Sequence, residues 1–301
     1  MNHFTDPAVD YGNPRRPLTA RLPAWIPDSW IDQFYFLRYH RRPANLHDPQ
    51  TWNEKMLWLK QHHRPPIMHR FADKAACRAW IAETVGEQFC VPLLGSYASV
   101  DAVPWQLLPQ RFVLKAGHGS GWTIVCRDRQ QFDAGRAQRL LHRWLREDFS
   151  SYAREWHYHG LTPTILLEPL LCEPDGNPAR DVKVTCINGE PQIISVHLER
   201  YSDRYQLINL DGDWNDLGFA WKVARGMTVP PRPPQLPELL RVARVLSTGM
   251  PHLRIDCYLT DGLIRVGEVT VFGERGINTV PDHIDRWIGR LLHLPVTATE
   301  A

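Results

Sequence analysis

Charged residues that interrupt apolar runs need a reason, because a strand in a core buries its charges only at a cost unless they are paired. Lys115 closes the run "RFVLKA", and Gly117, His118, Gly119, Ser120 and Gly121 follow before a second run, "WTIVCRD". Two chemistries fit that stretch. A hairpin tip uses glycine for positive φ and leaves the lysine solvated at its edge. A phosphate cover uses the unhindered backbone N–H groups of the loop and the lysine as a point charge. The strand-to-helix GxxxxGK[ST] order of a P-loop is missing, and taken alone the hairpin is the commoner case.

A second lysine stands in "DVKVTCINGEPQIISVHLER". Alternation puts Val182, Val184 and Cys186 on one face and Lys183 and Thr185 on the other, and Asn188-Gly189 marks a hairpin. Lys183 thus points away from the core or into a site. In "LRIDCYLTDGLIRVGEVTVFG", Arg254 and Asp256 alternate with Leu253, Ile255 and Cys257, and Glu268 and Thr270 follow on the return strand. A two-residue Asp261-Gly262 turn would set Asp256 opposite Gly267 and Glu268 on the wrong face. A three-residue loop of Thr260, Asp261 and Gly262 sets Arg254 opposite Glu268 with Asp256 on the same face, and this loop is the expected one. The carboxylates then form either an internal salt bridge with Arg254 or a magnesium site, where hard oxygens hold the ion against substrate phosphates. Only a nucleotide site also requires lysines on neighbouring strands.

Less decisive are Arg200 and Arg204 in "HLERYSDRYQ", which suit anion clamps for a carboxylate substrate and surface ion pairs equally. His157 and His159 lack the further clustered ligands of a zinc site. His118 reads as an acid-base group or as an exposed bystander in its loop.

The elements that carry these residues are readable in outline. "PDSWIDQFYFLRYH" and "DPQTWNEKMLWLKQHH" read as helices, the second with Asp48 as cap, Pro49 in its first turn and a stripe of Trp52, Met56 and Leu59. "FADKAACRAWIAETVG" reads as a third helix ending at Gly86. Short β-like runs begin near residue 89, and a helix capped by Asp133 buries Ala137, Leu140, Leu141, Trp144 and Leu145. "TILLEPLL" is a buried strand, "TVPPRPPQLP" a connector, and "PELLRVARVLSTG" a helix ending at Gly249. The 43% hydrophobic content suits a globular chain, and a net charge of +2 spread along the sequence argues against nucleic acid as the main partner. Six scattered cysteines point to reduced thiols, and with neither an apolar leader nor an 18-residue apolar run a cytoplasmic location without a transmembrane segment is expected.

Strand lysine, glycine-rich loop, strand with glutamate, strand lysine, then Arg-x-Asp and Glu-x-polar on a terminal hairpin is an order that resembles ATP-grasp ligases. "TWNEKMLWLK", "ADKAACR", "PLLGSY", "FVLKAGHGSG", "REW", "LINLDGDWN" and "RIDCYL…VGEVTVFG" are similar to the TupA-like branch, associated with teichuronopeptide and cell-surface polysaccharide biosynthesis, over roughly residues 30 to 290. The resemblance implies an α+β ATP-grasp fold, two α+β subdomains clasping ATP. It divides the chain into a disordered tail (1–15), a helical N-terminal region (16–88), an N-terminal subdomain with the loop (89–164) and a C-terminal subdomain with the metal site (165–295).

By the same resemblance Lys115 and Lys183 contact ATP phosphates, and Gly117, His118, Gly119, Ser120 and Gly121 form the loop that closes over them. Glu168 lies at the adenine hinge, and Glu173 is the ribose ligand. Asp256 and Glu268 hold Mg²⁺, with Thr270 where most ATP-grasp enzymes have asparagine, and Arg254 steadies the transferred phosphoryl group. The implied activity is ATP-dependent joining of a small-molecule or saccharide carboxylate to an amine through an acylphosphate, releasing ADP and phosphate. A phosphotransferase or a glycosyltransferase of polysaccharide biosynthesis is the alternative, and no convincing DxD supports the latter.

Overall fold

The computed structural model describes residues 8–12, 22–23, 25–200, 204–221, 223–260 and 262–295. Its strands form two sheets. The first has five strands in the order β1 (Val9–Tyr11), β4 (Thr123–Cys126), β3 (Phe112–Ala116), β5 (Ile165–Pro169) and β2 (Gly95–Tyr97), all neighbours antiparallel. Helix α5 (Ala134–Trp144) packs on it as its apolar stripe requires, burying Ala137, Leu141 and Trp144 with Leu114, Ile124 and Trp122. Asp133 caps this helix through the Arg136 amide at 2.8 Å, as expected.

The second sheet has six strands, ordered β11 (Leu263–Thr270), β10 (His252–Thr260), β6 (Arg180–Ile187), β7 (Glu190–Leu198), β8 (Gln206–Leu210) and β9 (Ala224–Arg225), with only the β8–β9 pair parallel. Val182, Val184, Leu253 and Ile255 share a core with Leu239, Val242 and Leu246 of α7 (Leu236–Ser247). The Asn188-Gly189 hairpin joins β6 to β7, both residues at positive φ.

Helices α1 (Asp28–His40), α2 (Trp52–His62), α3 (Ile67–Ala72) and α4 (Lys74–Val85) precede the first sheet's main strands; α6 (Phe149–Ala153) and α8 (Asp282–Leu291) complete the set. Asn53 of α2 accepts a hydrogen bond from the Asn278 amide at 2.5 Å and donates to its carbonyl at 3.0 Å, pinning the helix to the chain beyond β11.

Four expectations change. Val9–Tyr11, read as part of a disordered tail, is edge strand β1, paired with β4; residues 1–7 and 13–15 lie outside the described residues. The cap of α2 is Thr51, not Asp48, because Thr51 and Glu54 form a reciprocal capping box. The stretch 71–86 is broken at Asp73, whose carboxylate caps α4 through the Ala75 and Ala76 amides. The terminal hairpin pairs Thr260 with Leu263, so the connection has two residues rather than three, Asp261 itself lying outside the described residues. Register is recovered elsewhere. The pairing passes from Cys257 opposite Val266 to Asp256 opposite Glu268, making Gly267 the extra residue of a β-bulge, and Arg254 faces Thr270 instead of Glu268. A Cβ at Gly267 would sit 2.7 Å from the Tyr258 ring, which is why a glycine fills the bulge.

Candidate active site

The bulge turns Glu268 onto the face that carries Asp256, and β6 adds Lys183 directly opposite Asp256. Three adjacent strands thus present Glu268, Asp256 and Lys183 in one transverse row. Facing them from the first sheet is Lys115, at the end of β3. A cavity of about 360 Å³ between the sheets is lined by all four, by Arg254, and by Ser120 and Gly121 of the loop.

The charges are paired. Asp256 accepts from Lys183 at 2.5 Å and from Arg254 at 2.6 and 2.9 Å. Burial alone would raise the Asp256 pKa, but these two cations outweigh it and hold the carboxyl well below the usual carboxylate range. Arg254 answers in kind: burial disfavours its charge, and Asp256 more than restores it. Lys115 lies 2.5 Å from Glu168, and although burial lowers its pKa, Glu168 and then Tyr258 raise it above the ordinary lysine value. The salt bridge expected between Arg254 and Asp256 is present, and so are the two lysines on neighbouring strands that a salt bridge does not need.

The loop residues divide. Ser120 and Gly121 line the cavity, and Ser120 hydrogen-bonds the Tyr158 hydroxyl. Gly117 and Gly119 present carbonyls to Lys74, the first to its amide at 3.0 Å and the second to its Nζ. A Cβ on Gly119 would lie 2.5 Å from the Trp122 ring, so this glycine serves close packing within the loop. His118 does not reach the cavity and is no exposed bystander. It is 3% exposed, its Nε2 is 2.9 Å from the Trp144 carbonyl, and burial lowers its pKa.

Glu168 and Arg200 line the cavity, with the Arg200 guanidinium against Asp181. Glu173 does not: it belongs to a turn in which its amide donates to Asn177 at 2.7 Å. Arg204 is set apart, 75% exposed and 2.8 Å from Glu199. Thr270 also stays out of the lining and accepts from Arg254 at 3.2 Å, which orients the guanidinium. His157 is buried beside Phe272 and Tyr158, its pKa lowered to about 3 by desolvation, while His159 is 78% exposed, so the two do not form a pair.

Sequence reasoning passed over Lys74 and Asp181. Lys74 reaches the Gly119 carbonyl and lies 3.9 Å from Glu268, bridging loop and carboxylate row. Its signal was electrostatic, since a lysine as the first residue of a helix opposes the helix dipole. Asp181 stands two residues before Lys183 on the same strand face, lines the cavity, and lies 3.8 Å from that lysine.

Among the described residues no group of three or more His, Cys, Asp and Glu side chains is placed to hold a metal. Asp256 and Glu268 alone suit magnesium, which is commonly held by one or two carboxylates together with substrate phosphates and water. Asp256, already engaged by two cations, and the more open Glu268, 32% exposed, are the residues of this chain that would hold it.

A family model described as TupA-like ATP-grasp matches residues 54–293. This chain belongs to the TupA-like ATP-grasp family. The match takes in every residue of the cavity just described from Lys74 to Glu268, and no curated protein matches the sequence. Similar solved structures include the ATP-grasp ligase PsnB complexed with minimal precursor (14% identity, 69% of this chain and 55% of that one, TM-score 0.40). They also include D-alanine–D-alanine ligase from Bacillus anthracis complexed with ATP (13% identity, 67% and 55%, TM-score 0.42) and a RimK-domain ATP-grasp protein from Sphaerobacter thermophilus (12% identity, 77% and 70%, TM-score 0.43). The TupA-like chain spans a little over half the length of the first two. Among its described residues no helix is long and apolar enough to cross a membrane.

Proposed function

We propose that this TupA-like chain is an ATP-dependent ligase that joins a carboxylate to an amine through an acylphosphate, acting on a cell-surface polysaccharide or its precursor. The observation that carries the reading is the convergence of Lys115 from one sheet with Lys183, Arg254, Asp256 and Glu268 from the other on a single cavity.

Lys115 and the backbone of the Ser120–Gly121 stretch offer positive charge and N–H donors to phosphate oxygens. Lys183 and Arg254, held by Asp256, would meet the charge that develops on a phosphoryl group in transfer. A bound magnesium ion would neutralise phosphate charge at Asp256 and Glu268. Glu168, paired with Lys115, keeps that lysine charged and fixed before ATP arrives. The loop, tied down by Lys74 at Gly117 and Gly119, shields an acylphosphate from water while an amine attacks.

The test is calorimetric ATP binding with and without Mg²⁺ on the wild type and on Lys115→Ala and Glu268→Gln. Micromolar affinity is expected, lost in the first variant and stripped of its Mg²⁺ dependence in the second. A folded wild-type protein that binds no ATP would overturn the reading. Phosphate release on screening sugar acids with amines would then identify the substrates, and phosphorylated product without free phosphate would redirect the reading to a phosphotransferase.

A further inference from the structure

Of the eleven large apolar side chains exposed among the described residues, six fall between residues 22 and 39: Leu22, Trp25, Trp30, Phe34, Leu37 and Tyr39. Three of them, Trp30, Phe34 and Leu37, recur at the helical spacing of four and three and form one stripe along α1, with exposures of 68, 59 and 51%. Trp25, 78% exposed, precedes the helix at the same end as Trp30.

The inner face of α1 is satisfied. Phe36 is fully buried and packs with Leu57 and Ile277, and Tyr35 adds to that cluster. Asp32 meets Lys60 at 2.6 Å in a pair whose side chains are 4% and 3% exposed, and Gln33 bonds the Ala44 amide and carbonyl at 3.0 and 3.1 Å. The helix therefore cannot roll to bury its outer stripe without breaking a buried ion pair. A helix apolar on both faces is ordinarily covered on both.

The chemistry of the outer face selects what covers it. The exposed positions of α1 are Trp30, Phe34, Leu37, Arg38 and Tyr39, and exposed Arg41 follows as its cap; none is acidic. Asp28, in the first turn, is engaged by Arg154 at 3.3 Å. Indole and phenyl rings beside arginines are the composition of a helix lying in a bilayer interface, where rings enter the headgroup boundary and guanidinium groups meet anionic lipid. A second copy presenting the same face would bring no carboxylate to Arg38 or Arg41, whereas acidic headgroups would satisfy both.

We propose that the outer face of α1 docks on the surface of an anionic lipid bilayer, holding the protein there without crossing it. The experiment is co-sedimentation of the full chain with vesicles of phosphatidylglycerol and phosphatidylcholine in equal parts, and with phosphatidylcholine alone. Two double variants accompany it, Trp30→Ser with Phe34→Ser and Arg38→Gln with Arg41→Gln. All four side chains lie outside the nucleotide cavity, so unchanged ATP calorimetry certifies folding. Binding to the anionic vesicles is expected to weaken with salt, to fall about 30-fold on removing the two arginines, and to fall at least as far on removing the two rings. Absence of wild-type binding, or binding that survives in both variants, would overturn the proposal. So would a dimer in light scattering that the ring variant dissolves, since a second copy would then be the cover.

Discussion

Replacing Lys115 by methionine separates two jobs of one side chain. Lys115 and Glu168 are 2.5 Å apart, with side-chain exposures of 12% and 9%, so neither can turn to water when its partner is lost. Removing one member of such a buried pair costs about 3 kcal/mol, because the other charge is left buried without compensation. With a urea m-value of about 3 kcal/mol/M, the unfolding midpoint of Lys115→Met should fall by about 1 M at pH 7. Adding Glu168→Gln makes both positions neutral and should return at least half of the lost stability. ATP binding should stay absent in the double variant, because the charge proposed to meet the phosphates is gone whichever residue stands at 168. A single variant within about 0.5 kcal/mol of wild type, or a double variant no more stable than the single, would refute the buried-pair reasoning. ATP binding restored in the double variant would refute the phosphate contact.

Gly267→Ala brings a Cβ to 2.7 Å from the Tyr258 ring and should cost about 1–3 kcal/mol in thermal unfolding, with weakened Mg²⁺-dependent ATP binding as Glu268 shifts. Glu155 is buried, and desolvation pushes its pKa up to about 7 against the pull of Lys60 and Arg275. A raised acid favours the native state while neutral, so this contribution is present below the ordinary glutamate pKa and is lost as pH rises through about 7; chemical denaturation from pH 5 to 8 should show that decline, and Glu155→Gln should flatten it. Asn53→Ala leaves the Asn278 amide and carbonyl without the Asn53 side chain and should cost about 2–3 kcal/mol in urea denaturation, with nucleotide affinity little changed.

Strand alternation made Lys183 and Asp256 legible as residues turned from the core, and the Asn188-Gly189 hairpin fixed their neighbour strand. The helix capped by Asp133 was equally open, its stripe and cap agreeing. What stayed hidden depended on contacts distant in sequence. Edge strand β1 exists because Val125 and its neighbours supply partners more than a hundred residues away, and three residues hold no signal of that. Burial of His118 depends on the Trp144 carbonyl at the far end of a helix. The bulge is a different case. Ile264 and Val266 are buried, and so are Val269 and Val271, a change from even to odd positions that is written in "LIRVGEVTV". Alternation interrupted across a glycine signals a bulge, and placing the extra residue in the turn overlooked it.

That interruption bears on how the strand can change over generations. Deleting Gly267 would put Ile264, Val266, Val269 and Val271 on one unbroken alternation, with Asp256 still opposite Glu268, so no apolar residue would have to leave the interior. The strand can thus lose the bulge without a folding defect, and Glu268, 32% exposed, can likewise be exchanged with little harm to packing. Descendants that abandon the proposed chemistry are expected either to shorten the strand by its glycine or to change the letter at 268.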